Sequence, residues 1–418
     1  MSGHVYDELK ARGFIAQVSD EAALRKVLGE KKVTFYIGFD STATSLHAGS
    51  LVPIMAMVHL RRAGHRAIAV VGGGTTMVGD PSGREEIRRM LDEETIRAQG
   101  KAIHAQLDRY LHFDGKDAIA VDNADWLLPL HYVAFLRDIG RHFSVNRMLA
   151  AEAYKQRLEK GLSFIEFNYQ LLQAYDYLVL YREYGCTLQM GGDDQWGNIL
   201  AGVDLIRRVE GGAAEALTFP LLTTSSGAKM GKTAKGAVWL DAKLVSPYDF
   251  YQYWVNCDDR DVLRFLKMYT LLSLDEIRRF EDLRDSEINE AKRVLAFEAT
   301  KITHGEEEAD NARKASAAAF GGNVTATSGV DGDLTVLPTT AVARARLEAG
   351  VRSAELFTEV GLTPSRGEAK RLIKQGGLYV NDRPIPDLEW LITIREIRPD
   401  GGMLLKAGKK KVHRVVVE

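Results

Sequence analysis

Two lysines in a glycine-flexed loop, Lys229-Met230-Gly231-Lys232-Thr233, stand out first. Paired ammonium groups on a mobile segment suit a clamp on polyphosphate. An ordinary exposed basic loop has the same composition. A second stretch, residues 36–51 (YIGFDSTATSLHAGSL), runs from a β-rich segment through a polar turn. It ends in His47-Ala48-Gly49-Ser50 at the head of an apolar helical run. Helix N-termini expose unpaired N–H groups and attract anions, and Gly49 lets a ligand approach the backbone. His47 could donate to a phosphate, although a capping turn with an exposed histidine reads equally well. In the third stretch, 168–176 (NYQLLQAYD), Tyr169, Gln173 and Asp176 fall at i, i+4 and i+7, one face of a helix. Their apolar flanks favour the polar wall of a pocket over a solvated face. The fourth, 191–198 (GGDDQWGN), follows a strand-like CTLQM. Asp193 or Asp194 can cap the helix expected over 195–209. The carboxyl ends of parallel strands bind ligands, and an acid there suits ribose hydroxyls.

Two nucleotide motifs fail. A dinucleotide fingerprint built on Gly72-Gly73-Gly74 would need glycine at 77, where Met77 stands. SGAKMGKT (226–233) has Ser226 in place of the first P-loop glycine. It is also followed by breakers and a β-like run instead of a helix.

These stretches must be positioned by an alternating framework. Strand-like segments are expected at 33–39, 67–71, 118–121 and 187–190, with helical stretches at 47–62, 84–111 and 130–184. Alternation of this kind predicts a parallel sheet with helices on both faces. Beyond 231 the pattern turns helical, with helices expected over 247–272, 274–304 and 306–320. Residues 321–340, rich in Gly, Thr and Asp, read as a linker. The end of the chain reads as two short helices and a β-rich module. The expected division is 1–230, 231–320, a linker at 321–349, and 350–418.

Composition is that of a globular protein: 418 residues, 45% hydrophobic and 27% charged. Cys186 and Cys257 cannot build a disulfide framework. No apolar run is long enough to span a membrane, and the N-terminus has no signal-peptide core. A cytoplasmic protein is the expectation. The ten histidines are scattered without zinc-ligand spacing, so no resident metal is expected. The net charge of −2 argues against non-specific nucleic-acid binding. It hides an asymmetry, because residues 350–418 carry 13 Lys and Arg against 9 Asp and Glu, a net of +4. A basic module on an acidic body hints at an anionic partner.

Taken together, YIGFDSTATSLH, GDPSGR, FNYQLLQAYD, GGDDQWGN and KMGKT resemble, in order and over essentially the whole chain, the blocks of bacterial tyrosyl-tRNA synthetases, class I aminoacyl-tRNA synthetases. The HIGH motif appears as His47-Ala48-Gly49-Ser50 and KMSKS as KMGKT. The resemblance implies an α/β fold. It has a Rossmann-like catalytic domain with a dimer-forming insertion, a helical anticodon-binding domain, and a C-terminal alpha-L RNA-binding domain. It implies ATP-dependent activation of tyrosine, with Mg2+ arriving with ATP, and transfer to tRNA(Tyr). Tyr36 and Asp176 would hold the tyrosine phenol. Asp80, Tyr169 and Gln173 would hold the ammonium, and Gln195 the carboxyl region. Asp40, Gly49, Ser50, Gly192, Asp194 and Lys232 would line the ATP side. Thr42 and His47 match phosphate-contacting positions, Lys229 and Lys232 the loop lysines, and Arg84 and Arg88 basic positions near the pyrophosphate. A homodimer through 143–167, including Phe164, is also implied. Three departures from the usual motifs are Ser50, Asp193 and Gly231-with-Thr233. A tryptophanyl enzyme would lack the tail and the Tyr36/Asp176 pair. A non-catalytic RNA-binding relative would have lost some of His47, Asp80, Asp176 or the lysines.

Overall fold

A computed structural model describes residues 3–82, 91–150, 154–155, 158–159, 161–227, 229–233, 236–320, 334–408 and 411–418. Packing divides the chain into two compact units. One is Met1–Val245 with Asp258–Ile288, and the other is Ser246–Cys257 with Asn289–Glu418.

The first unit is built on six strands: β1 (Gln17–Val18), β2 (Thr34–Asp40), β3 (Arg66–Gly72), β4 (Ala118–Asp122), β5 (Cys186–Gly192) and β6 (Glu215–Phe219). Their order is β1-β6-β5-β2-β3-β4, parallel throughout except for β1 against β6. β2, β3 and β4 step one way across the sheet, and β5 and β6 step the other way. The crevice between the carboxyl ends of β2 and β5 is therefore the topological switch point, where ligands bind in open α/β sheets. Side chains alternate across the strands. Tyr36, Ile68 and Val70 face the helices Phe164–Tyr184 and Trp196–Glu210, forming one core with Tyr177, Leu178 and Leu205. On the opposite face Gly100, in the helix Glu93–Leu111, packs close to Val71.

Among the described residues, the helical stretches expected over 130–184 include Tyr132–Asp138, Val145–Ala150 and Phe164–Tyr184. The last has its own start and stop. Ser163 and Glu166 form a reciprocal capping box, and Gly185 closes the helix in the left-handed conformation. The 247–272 stretch is likewise two helices, Pro247–Val255 and Val262–Tyr269. Asp258 caps a new turn between them. The 274–304 stretch divides into Leu274–Arg278 and Ile288–His304. The segment Asp258–Ile288 belongs to the first unit because buried Arg12 donates to the carbonyls of Lys267, Thr270 and Leu272.

In the second unit the helix Pro247–Val255 joins Glu306–Phe320 through Gln252 Nε2, which donates to Ser316 Oγ at 2.9 Å. The strand-rich end has Gly402–Ala407 between Leu378–Val380 and Lys411–Val417. The described part of the expected linker is not loop. Thr339–Val342 pairs in parallel with Lys411–Val417, and Arg344–Ala349 is helical. Its backbone groups find ladder partners far along the chain, which a local composition reading cannot detect.

Candidate active site

Every tyrosine-side residue expected from the sequence lies on one cavity of about 220 Å³ beneath the helix Phe164–Tyr184. Tyr36 enters from β2, Asp80 from the loop after the short helix Gly73–Val78, and Tyr169, Gln173 and Asp176 from one helix face. Gln195 comes from the turn after β5. The Tyr36 hydroxyl is buried and has no hydrogen-bond partner among the described residues. Burial, with the Asp176 charge beside it, pushes its pKa well above the ordinary phenol value, so it keeps its proton. The Oε1 atoms of Gln173 and Gln189 are also buried with no partner among the described residues. Such orphans are costly unless a ligand satisfies them.

Asp176 is 4% exposed. Asn123 Nδ2 donates to its Oδ2 at 2.9 Å and Trp126 Nε1 to its Oδ1 at 2.7 Å. Burial pushes its carboxyl up to about 7 despite these two donors. Asn123 also donates to Thr75 Oγ1 (3.0 Å), and Thr75 donates to Asp40 Oδ1 (3.1 Å). The Tyr169 hydroxyl reaches the same Asp40 carboxylate at 3.4 and 3.5 Å. A polar chain thus runs from Asp176 through Asn123 and Thr75 to Asp40. Asp80 accepts from Gln195 Nε2 at 2.7 Å and from the Ser82 N–H at 2.9 Å. The motif reading missed Asn123, Trp126, Thr75 and Gln189. Asn123 had a usable signal, because it directly follows β4 at a parallel strand's carboxyl end.

The cavity shares Asp40, Ser50 and Gly192 with a wider groove of about 1080 Å³. That groove also receives Thr42, His47, Gly49, Asp194 and Lys229. His47 Nδ1 accepts from the Gly49 N–H at 3.0 Å. An accepting Nδ1 leaves the proton on Nε2, so the ring is also a donor. Ser50 occupies the N-cap position of Leu51–Arg62 but makes no side-chain cap bond, and it borders both spaces. Desolvation, with Asp80 next, raises the Asp194 carboxyl.

Two departures from the usual motifs have structural reasons. Gly231 has φ +78, and a Cβ there would lie 2.6 Å from the Gly49 nitrogen. In this conformation only glycine fits between the lysine loop and the first turn of the His47 motif. Asp193 turns away from the groove, accepting from Gln17 Nε2 at 2.7 Å and Thr218 Oγ1 at 2.8 Å. Neither Asp193 nor Asp194 caps the following helix. They form a single 3-10 turn with Gln195, and the helix Trp196–Glu210 starts without a side-chain cap. The side chains of Lys232 and Thr233, and all of Arg84 and Arg88, lie outside the described residues.

A polar cavity of about 220 Å³ opens at the switch point into a groove lined by a His-Ala-Gly-Ser turn and a lysine loop. The chain carries the architecture of the class I tRNA synthetases, and residues 28–321 match the family described as tRNA synthetases class I (W and Y), to which it belongs. Within that class it is a member of the tyrosine–tRNA ligases. It is 54% identical over 425 residues to the tyrosine–tRNA ligase of Syntrophus aciditrophicus (strain SB), covering 99% of each chain. The enzyme of Acetivibrio thermocellus is 53% identical over 411 residues, covering 98% of each. Among solved structures, a C-terminally truncated Aspergillus nidulans mitochondrial tyrosyl-tRNA synthetase is similar. It is 31% identical with a TM-score of 0.67, covering 74% of this chain and 92% of that one.

Proposed function

We propose that the cavity binds tyrosine, with Tyr36 and Asp176 on the phenol oxygen, and that the groove binds magnesium-ATP. The observation that carries this reading is the orphaned Tyr36 hydroxyl in the same cavity as the buried Asp176 carboxylate. A substrate hydroxyl can satisfy both groups. Phenylalanine would leave the Tyr36 hydroxyl unpaired and bring no donor to Asp176, and this enzyme family is itself the standard example of that discrimination, worth about 10⁵-fold. At the other end Asp80, Tyr169 and Gln173 take the ammonium, and Gln195 faces the carboxyl region. The tyrosine carboxylate attacks the ATP α-phosphorus in line. The bond to the bridging oxygen breaks, and pyrophosphate leaves with the electron pair. The 3′-terminal ribose hydroxyl of tRNA(Tyr) then displaces AMP from the tyrosyl-adenylate.

No side chain becomes covalently attached, so catalysis is positioning and charge stabilisation. His47 and Thr42 hold phosphate oxygens. Lys229 and Lys232 neutralise the departing pyrophosphate, with Arg84 and Arg88 as further cations. Asp194 takes the ribose hydroxyls, with Gly192 against the adenosine and Asp40, Gly49 and Ser50 beside it. The functional division remains 1–230 for activation, 231–320 for the anticodon side, 321–349 as connection and 350–418 for RNA binding. A homodimer is supported by Tyr132, Val133, Val145, Leu158, Phe164 and Ile165, large apolar side chains all exposed within one stretch of chain. A cytoplasmic location fits the substrates, and among the described residues no helix is long and apolar enough to cross a membrane. Pyrophosphate exchange with each of the twenty amino acids tests the specificity. Tyrosine alone should support exchange, and equal exchange with phenylalanine or tryptophan would overturn the phenol assignment.

A further inference from the structure

Lys229 sits on a minimal hairpin. Thr223 bridges Lys229, and the Met230 N–H donates to the Leu222 carbonyl at 3.0 Å. A two-stranded hairpin this short does not hold its own geometry in water. Its anchor comes from a segment 35 or more residues further along the chain. Asp261 is 3% exposed. Its Oδ2 accepts from both the N–H (2.9 Å) and the hydroxyl (3.0 Å) of Ser225, in the turn of the hairpin. Its Oδ1 pairs with Arg264 at 2.7 Å, and Arg264 Nη2 donates to the Thr223 carbonyl at 2.6 Å. One ion pair therefore grips both the turn and the incoming limb. The grip stands on a fixed base. Asp261 ends the turn that opens the helix Val262–Tyr269, and buried Arg12 holds the Lys267 and Thr270 carbonyls at that helix's far end.

We infer that Asp261 and Arg264 are positioning residues for tyrosine activation, fixing the hairpin that presents Lys229 to the nucleotide groove. Neither residue lines the groove; they act through the loop. The inference rests on the clamp role proposed for Lys229. A charge-assisted contact tied to a developing phosphate charge depends steeply on placement, and a shift of about 1 Å can cost on the order of 100-fold.

The test is a double-mutant cycle on the full-length enzyme, read by pre-steady-state adenylate formation at saturating substrates. Asp261→Ala should slow adenylate formation at least fivefold while leaving tyrosine Kd within twofold. Arg264→Ala, at a half-exposed site where misfolding is less of a concern, should likewise slow adenylate formation and leave tyrosine Kd within twofold. In a Lys229→Ala background either substitution should cost less than twofold, since the group being positioned is gone. Unchanged rates in the single variants would overturn the inference. So would equal losses in both backgrounds, the pattern of a purely structural role. If Lys229→Ala alone reacts at the wild-type rate, the clamp reading falls and this inference falls with it. A slow Lys229→Ala beside a normal Asp261→Ala and Arg264→Ala overturns the positioning alone.

Discussion

Asp176 answers two opposed demands. It must stay an acceptor for a substrate hydroxyl, yet burial disfavours its charge; Asn123 and Trp126 offset part of that cost. Removing the carboxylate leaves the Trp126 N–H and one Asn123 N–H without that acceptor, and takes it from the substrate hydroxyl as well. Asp176→Ala should therefore lower kcat/KM for tyrosine in pyrophosphate exchange by at least ~2 kcal/mol of transition-state binding. The same burial has a signature in pH. The folded carboxyl titrates at about 7, against 3.8 as its ordinary value. Between those values the folded state holds a proton that the unfolded chain has lost. The stabilisation is complete below about pH 4 and fades as the pH rises to about 7. Thermal melts of wild type and Asp176→Asn across pH 4–7 should show wild type losing stability relative to the variant as pH rises. A pH-independent difference would contradict the buried-carboxyl account. At this scale much was legible in the sequence. The Tyr169/Gln173/Asp176 stripe follows from helical spacing alone, and all three side chains do line one cavity. Asn123 was legible only as a residue at a strand's carboxyl end, and Trp126 not at all, because their partner lies about fifty residues away in sequence.

At the scale of elements, short pieces are held by side chains from their neighbours. β1 contributes only two residues to the sheet edge, too few to be held by ladder bonds alone. Asp193 ties that edge together, taking bonds from Gln17 on β1 and Thr218 on β6. Bonds to a charged acceptor contribute about 1.5–3 kcal/mol. Asp193→Ala should cost about 1–3 kcal/mol in denaturant unfolding and leave adenylate formation within threefold of wild type. A large kinetic loss with unchanged stability would instead put this carboxylate at the nucleotide. The sequence locates a strand, a turn and a helix here, and the motif resemblance marks Asp193 as a departure. Which way the side chain turns is decided by β1, an antiparallel edge with no hydrophobic pattern of its own.

For the whole molecule, the boundary that matters is set by packing. Leu404 and Val412 of the C-terminal sheet pack with Tyr248, Ala315, Ala319 and Leu337 in the second unit. Thr339–Val342 is a strand of that same sheet. A truncation at 350 would strand this segment and expose apolar surface, so the cleaner cut removes 321–418. That truncated enzyme should form tyrosyl-adenylate at a near-normal rate and charge tRNA poorly, with the gap to the full-length enzyme narrowing as salt rises, because the phosphate contacts it has lost are the salt-sensitive ones. Normal charging at moderate salt would show the C-terminal module to be dispensable. Phe164→Glu bears on assembly. It should shift sedimentation from dimer to monomer, and an unchanged dimer would remove the exposed 128–165 stretch as the interface.

By itself the sequence determined the alternating α/β framework, the four reactive stretches, and the end of the sheet at which they gather. Each of these follows from local periodicity and from glycine and acidic residues at strand ends, which act over a few residues. Only the tertiary structure decided the sheet order that opens a crevice between β2 and β5, and the turning of Asp193 toward the edge. It also decided the Asn123–Thr75–Asp40 chain and the capture of the lysine hairpin by Asp261. Those features join residues tens to hundreds of positions apart. Hydrogen-bond satisfaction in a buried space depends on which distant groups arrive together, and no local pattern carries that information.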